Sequence, residues 1–127
     1  MSLKFKLDKK KIFLLYQYYL LFDNSFCEED VWIKDFWEKE KILIEKIERK
    51  MKITWKFYRL PPLEKATLTY AAYKIIFDNI NNHQVLLINQ IINFSKKYLE
   101  ENKYKYINKV LDLIYKESLL TDSILPT

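Results

Sequence analysis

The stretch RLPPLEKATLTYAAYKI, residues 59–75, decides the fold because it ends one segment and begins a helix. A residue that precedes proline is pushed out of the helical region, so the preceding segment is predicted to end at Leu60. Proline suits the first turn of a helix, so a new helix is predicted from Pro61 and Pro62 onward. Its apolar residues recur at spacings of three and four, as a buried helix face requires: Leu63, Ala66, Tyr70, Tyr73 and Phe77. Only a narrow polar strip remains, so we expect this helix to lie at the centre of a bundle.

The remainder of the chain also has helical patterns. The sequence predicts helices over residues 9–22, 84–99 and 103–118, while 28–60 forms one helix or two. The 127 residues include no glycine, and half of them are apolar. A lack of glycine disfavours hairpins, sharp loops and phosphate-binding loops. We therefore expect one all-α domain over residues 1–127, with a basic arm at 1–8 and a frayed tail at 119–127.

Charge and cysteine content indicate the setting of the protein. The net charge of +5 fits a polyanionic partner but is modest. Cys27 is the single cysteine, so an intramolecular disulfide is impossible and a reducing compartment is expected. The apolar run at residues 9–22 is too short to span a bilayer, and no small-residue cleavage site follows it. We therefore expect a cytoplasmic protein.

The sequence offers no candidate active site. His83 is the only histidine and stands among loop asparagines, where a solvated or capping role is more common than catalysis. Cys27 has no histidine nearby and is expected to be a small buried apolar group. The serines lack the glycines of a nucleophile elbow, and no Cys/His spacing fits a metal. We predict no catalytic residues, no metal site and no cofactor.

Two lysine-rich stretches are candidates for nucleic-acid binding. Residues 1–11 contain one acidic residue, Asp8, and five lysines: Lys4, Lys6, Lys9, Lys10 and Lys11. Such an arm can neutralise RNA phosphates, but a solubilising terminus is the more common reading of the pattern alone. The second stretch is NKYKYINK, residues 102–109, which alternates lysines with aromatic rings at the start of a helix.

Helical geometry limits how the second stretch can be arranged. Tyr104 and Tyr106 lie about 200° apart around a helix, so both cannot face the core. We expect Tyr104 to pack inward, with Tyr106, Lys105 and Lys109 facing outward. Lysines on phosphates and rings on unpaired bases are the means by which single-stranded RNA is held. A half-buried tyrosine at a helix start is an equally good reading of the pattern alone.

Two separated motifs resemble the NusB family. The segment WKFYRLPPLEKATLTYAAYKI, residues 55–75, is similar to the central stretch of these proteins. Downstream, Tyr-Ile-Asn-Lys-Val-Leu-Asp at 106–112 is similar to the family's second signature, at nearly the family's spacing. The chain departs from the family at Lys109 and Leu99, where glycine is usual, and in having lysine for arginine near the start. The segment formed by residues 24–54 is also shorter than the corresponding segment usually is in the family.

The resemblance implies a compact bundle of about six to seven helices in two small sub-bundles, acting by binding rather than catalysis. NusB-like proteins pair with NusE, a ribosomal small-subunit protein, to bind boxA RNA and help RNA polymerase pass terminators in ribosomal RNA operons. By resemblance, RNA-binding residues would be Lys9, Lys10, Lys11, Lys105 and Tyr106. Lys109, which stands where the family has glycine, is added as a candidate because it faces outward with Lys105 in helical register. Glu64 and Thr67 would contact NusE, although an acid in a first helical turn needs no function. A monomer or weak homodimer is expected.

Two other readings remain open. A helical protein-interaction or accessory RNA-binding module without an antitermination role fits the same fold, because a fold alone does not fix function. A membrane-surface protein could use the basic, aromatic segment at residues 9–22. That segment is apolar on nearly all sides, which disfavours the membrane reading.

Overall fold

A computed structural model of the chain describes residues 7–22, 31–78 and 83–124, with side chains as far as residue 120. The described part is helical and contains no strand. Its five α-helices are α1 Lys9–Leu21, α2 Val31–Lys50, α3 Pro62–Ile76, α4 Gln84–Tyr98 and α5 Lys103–Ile124, with one 3-10 turn at Phe57–Arg59. The predicted all-α class is confirmed. Cys27 and most of the predicted basic arm lie outside the described residues.

The predicted number of six to seven helices is too high for the described part of the chain. Residues 28–60, which allowed two helices, contain a single α-helix, the 20-residue α2, followed by the short 3-10 turn. The last helix continues to Ile124, past the expected end at 118. The described residues therefore form fewer and longer helices than expected, since α2 has 20 residues and α5 has 22.

Helix α3 begins as the prolines predict and lies at the centre. Leu60 is extended, with φ −72° and ψ 150°, and Pro61 caps the helix that Pro62 begins. Each of the other four helices packs against α3. Eleven of its 15 residues are buried, including charged and hydroxyl side chains. A helix covered on every side leaves no exposed polar strip along its first turns, contrary to expectation.

The buried apolar side chains of the described helices form one cluster. The described helices therefore share one core, and two separate sub-bundles are not distinguished within it. Helix α5 contributes Ile107, Leu111 and Ile114, as its spacing predicts. Helix α4 buries Leu87, Ile91 and Phe94, whereas Val85 is 68% exposed.

Among the described residues, Phe22 and Asn102 adopt left-handed backbone conformations, both at helix boundaries. Phe22 ends α1 with φ 56°, and Asn102 precedes α5 with φ 70°. Asparagine tolerates this region better than most residues, so Asn102 can form the tight α4–α5 connection in a chain without glycine. This turn places the lysines of α5 directly after those of α4. None of the described helices is long and apolar enough to cross a membrane.

Candidate nucleic-acid interface

The start of α1 is fastened against α3 and α4 by hydrogen bonds. The Leu7 N–H donates to Gln90 Oε1 at 2.7 Å, and the Asp8 N–H donates to the Tyr70 hydroxyl oxygen at 3.1 Å. Asp8 also caps α1, since its Oδ1 accepts from the Lys11 N–H at 3.3 Å. Burial raises the pKa of Tyr70 to about 12, so this phenol stays neutral at physiological pH. These bonds fix where the first lysines lie.

A groove of about 320 Å³ opens where the start of α1 meets α4. We call it the N-terminal groove, and it is lined by Leu7, Lys9, Gln90, Asn93, Phe94, Lys97 and Tyr98. Two amide side chains, two lysines and two aromatic rings therefore border one depression. Lysines can neutralise phosphates, rings can stack on bases, and amides can bond to base edges.

Tyr98 is the aromatic ring of this groove that solvent reaches most readily. It is 38% exposed, and its centroid lies 4.6 Å from that of Phe94 and 5.4 Å from that of Phe13. The Lys9 Nζ lies 5.9 Å from the Tyr98 ring centroid, and the Lys97 Nζ lies 5.3 Å from it. A partly exposed ring is thus held between packed aromatic neighbours and two cations.

The three predicted lysines of α1 differ in their surroundings. Lys9 and Lys10 are exposed, and Lys9 lines the N-terminal groove. Lys11 is half-buried, with its Nζ 3.7 Å from Asp8 Oδ2 and 4.9 Å from the Trp32 ring centroid. Lys11 is therefore already occupied by partners within the chain, which makes it the weakest of the three as a phosphate contact.

A second groove, of about 410 Å³, lies between the end of α2 and α5. We call it the Trp55 groove, and it is lined by Arg49, Lys50, Met51, Lys52, Trp55, Tyr106, Lys109, Val110 and Leu113. Its floor is apolar and its rim is basic. Of the predicted residues, it contains Tyr106 and Lys109.

The expected outward orientation of Tyr106 is wrong. Tyr106 is half-buried: its hydroxyl donates to Glu64 Oε1 at 2.6 Å, and its ring meets Trp55 edge-on at a centroid distance of 4.9 Å. Burial and the bond to Glu64 raise the pKa of the Tyr106 phenol, so it remains a donor. Tyr104, predicted to pack inward, is also only half-buried, with the Lys96 Nζ 4.7 Å from its ring centroid.

The two predicted partner contacts, Glu64 and Thr67, are enclosed within the chain. Glu64 is 1% exposed and binds Lys103 Nζ at 3.6 Å in addition to Tyr106. Thr67 is fully buried and donates its hydroxyl to the Leu63 carbonyl at 2.7 Å. Neither side chain is accessible to a second protein in this arrangement, because α3 is covered on all sides.

Lys105 and Lys109 are exposed, one helical turn apart on α5. Residues at this spacing share a helix face. Lys109 lines the Trp55 groove, whereas Lys105 lines neither groove. The structure therefore assigns Lys9 and Lys109 to different grooves and does not gather the predicted residues into a single site.

Sequence reasoning missed several residues that line the grooves. Lys97 and Tyr98 stand in SKKYLEEN, residues 95–102, immediately before the stretch that was singled out. A tyrosine directly after two lysines is a related signal that could have identified them. Arg49, Lys52 and Trp55 are brought to α5 only by tertiary packing, and nothing in the local sequence marks them as groove residues, although Trp55 begins the quoted stretch 55–75.

The chemistry that this surface supports is the binding of anions and planar rings. Within residues 7–22, 31–78 and 83–124, no group of three or more His, Cys, Asp or Glu side chains is placed to hold a metal ion.

Comparison with known proteins identifies one family. Its profile, described as the NusB family, matches residues 34–116, about two thirds of the chain. Proteins called transcription antitermination protein NusB are similar over spans of 63 to 87 residues. That of Borreliella burgdorferi is 32% identical over 73 residues, 58% of this chain and 51% of its own. That of Methylacidiphilum infernorum is 31% identical over 87 residues, 68% and 59% respectively.

A third relative has higher identity over a shorter span. The protein of the same description from Helicobacter pylori is 40% identical over 63 residues, 50% of this chain and 44% of its own. The chain thus spans about half the length of the curated relatives it matches. No solved structure matches.

Proposed function

This chain belongs to the NusB family, and from that membership we propose that it is an RNA-binding transcription antitermination factor. The proposed ligand is a single-stranded boxA-like RNA in a nascent transcript. The proposed partner is NusE, and together they would act on transcribing RNA polymerase in the cytoplasm. Relatives called transcription antitermination protein NusB support the proposal. Binding, without any bond-making step, is the proposed activity.

The N-terminal groove is the observation that carries the RNA-binding part of the proposal. Lys9 and Lys97 flank Tyr98, whose ring is partly exposed. Cations beside an accessible ring form the arrangement that holds single-stranded nucleic acid without a preformed helix. Gln90 and Asn93 line the same groove and offer amide groups to base edges. We propose that one or more unpaired nucleotides bind here, with Lys10 nearby as a further phosphate contact.

The lysines of α5 extend the proposed RNA surface. Lys105 and Lys109 are exposed and would contact phosphates, each adding to affinity and to its salt dependence. Tyr106 takes a different part in the proposal from the one expected. Because its hydroxyl is bound to Glu64, it would support the wall of the Trp55 groove instead of turning freely onto a base.

Partner binding is proposed without direct contacts from Glu64 or Thr67, since both are buried. Glu64 holds the start of α5 in place through its contacts with Lys103 and Tyr106. Any effect of Glu64 on partner binding would therefore be indirect, through the position of α5. The proposal of a NusE-like partner therefore stands on family membership.

Filter binding of a boxA-like RNA, with and without NusE, tests the proposal. We expect tighter binding with the partner and a log–log salt slope of about −0.7 for each neutralised phosphate of a single strand. The variant Lys9→Gln with Lys10→Gln should weaken binding and make that slope shallower. Lys34→Gln, an exposed lysine of α2 that lines neither groove, is the matched control.

Two results would count against the proposal. Equal affinity for a scrambled RNA would remove the boxA preference. RNA binding that is unchanged in the Lys9 and Lys10 variant, together with retained partner binding, would favour a helical protein-interaction module instead.

A further inference from the structure

We propose that the Trp55 groove is a second binding site for a nucleotide of single-stranded RNA, with Trp55 beside the base and Arg49 and Lys52 at the phosphate. This inference rests on the proposed function and adds Arg49, Lys52 and Trp55, none of which was a predicted site residue. It also separates two contacts, because the N-terminal groove and the Trp55 groove have no lining residue in common. One protein would thus hold the RNA strand at two places.

The size of the groove suits a small ligand such as one nucleotide. Its volume of about 410 Å³ falls within the range of roughly 300–1,000 Å³ that small-ligand sites occupy. The floor is formed by apolar side chains, Met51 and Val110, which are 9% and 3% exposed. Trp55 forms a wall and is itself partly exposed. An apolar floor beside an indole suits a flat ring better than it suits a hydrated ion.

The indole is held in place by its neighbours. The Tyr106 ring meets it edge-on at 4.9 Å, and the Tyr106 hydroxyl is anchored on the buried Glu64. The Lys52 Nζ lies 5.5 Å from the Trp55 ring centroid. An aromatic wall fixed from behind loses little side-chain freedom when a base packs against it.

The basic rim is available for phosphate. Lys50 is engaged by Glu117, with Nζ 3.2 Å from Oε2, and this bond lowers the pKa of the Glu117 carboxyl. Across the described residues, by contrast, no ion pair engages Arg49, Lys52 or Lys109. Three cations therefore border the groove without an internal counter-charge. Guanidinium and ammonium groups beside an aromatic wall are the arrangement that binds a phosphorylated ring.

Two measurements on the full chain test the inference. In the first, the indole N–H signals of Trp32, Trp37 and Trp55 are followed by NMR as single-stranded boxA-like RNA is added, with Trp55→Phe assigning the third signal. The Trp55 signal should shift. In the second, Arg49→Gln with Lys52→Gln should weaken RNA binding about five-fold or more and make the salt slope shallower by about 1.4, which is two phosphate contacts. Lys34→Gln should change neither quantity.

The outcomes separate this inference from the proposed function. If RNA binding responds to Lys9→Gln with Lys10→Gln, but Trp55 does not shift and the Arg49 and Lys52 variant binds normally, the second site is wrong and the proposed function stands. If the parent protein binds no RNA, both fail. If a poly-glutamate peptide shifts Trp55 and RNA does not, the groove binds an acidic protein segment and the inference is overturned.

Discussion

Helices α3 and α5 differ in where their polar side chains lie. On α3, the charged and hydroxyl groups of Glu64, Lys65 and Thr69 are buried and bonded or packed within the chain. On α5, Ile107 and Leu111 are buried on one face, and the lysines of the other face remain exposed. Both helices carry lysine, glutamate or threonine near their starts, so composition alone does not separate them.

The difference shows that the number of packed faces decides what a polar residue can do. Helix α3 is covered by four other helices, so a polar side chain there must find its partner inside the protein. Helix α5 is covered on one face and leaves Lys105 and Lys109 free for a ligand. Substitutions on α3 should therefore change stability, and substitutions on the exposed face of α5 should change binding alone.

The largest effect is expected from shortening a buried apolar side chain of α3. Leu68 is fully buried, so Leu68→Ala should lower the free energy of unfolding by about 2–5 kcal/mol, since it removes packing and leaves a cavity. Urea unfolding followed by circular dichroism measures the loss. Val85→Ala, at a site 68% exposed, should stay within about 0.5 kcal/mol of the parent. Equal losses for the two variants would mean that α3 is not the centre of the core.

A smaller loss is expected when the buried carboxylate of α3 is removed. Glu64→Ala should cost about 1–3 kcal/mol of unfolding free energy, because it leaves the Tyr106 hydroxyl without its acceptor and Lys103 without its counter-charge. Glu64→Gln keeps an acceptor and should cost less. Urea unfolding of both variants gives the comparison.

A double-mutant cycle shows whether the Glu64 effect passes through Tyr106. Glu64→Ala and Tyr106→Phe should be non-additive by at least about 0.5 kcal/mol, as expected of residues that share a hydrogen bond. Additive losses would mean that the two side chains act independently and that Glu64 does not position the start of α5.

Local sequence signals predicted several helix starts well and the side-chain partners poorly. The prolines marked the start of α3, and apolar spacing marked the buried face of α5, because both depend on residues within a few positions of one another. The Tyr106–Glu64 bond joins residues 42 positions apart. Predicting it requires the relative rotation of α3 and α5, which the packing of the whole bundle sets.

In the candidate site too, local signals predicted some residues, and long-range packing decided the others. Lys9, Lys10, Lys105 and Lys109 were predicted as candidates from lysine spacing and family resemblance, and all four are exposed. Trp55 was quoted as the first residue of the stretch 55–75 but not as a site residue, because its place on a basic groove depends on contact between the end of α2 and α5. The packing of distant segments therefore decides which groove each predicted lysine lines: Lys9 lines the N-terminal groove and Lys109 lines the Trp55 groove.

The next prediction concerns Glu40, a half-buried carboxyl of α2 that accepts a hydrogen bond from Tyr19 of α1. Burial raises its pKa, although the hydrogen bond from Tyr19 at 2.6 Å and the charge of Lys65 oppose the rise. An acid with a raised folded pKa stabilises the fold while protonated, and that stabilisation is lost as pH rises through the folded pKa. Glu40→Gln never ionises, so it should retain stability that the parent loses above about pH 4.5.

The pH dependence of urea unfolding, measured from acid to neutral pH, checks this prediction. The difference between Glu40→Gln and the parent should grow with pH and stay smaller than the loss for Glu64→Ala. Glu45→Gln, at an exposed position of the same helix, is the control and should follow the parent. Parallel curves for Glu40→Gln and the parent would show that burial of Glu40 does not affect stability.

The smallest effect on stability is expected on the exposed face of α5. Lys105→Gln with Lys109→Gln should change the unfolding free energy by no more than about 0.5 kcal/mol, because both side chains are exposed and hold no ion pair among the described residues. The same variant should make the salt slope of RNA binding shallower by about 1.4, which corresponds to two lost phosphate contacts. Lys116→Gln, also exposed on α5, breaks only a 3.0 Å pair with Asp112 and should leave RNA binding unchanged. A large loss of stability in the double variant would make the α5 lysines structural, as the polar residues of α3 are, and the contrast between the two helices would then be wrong.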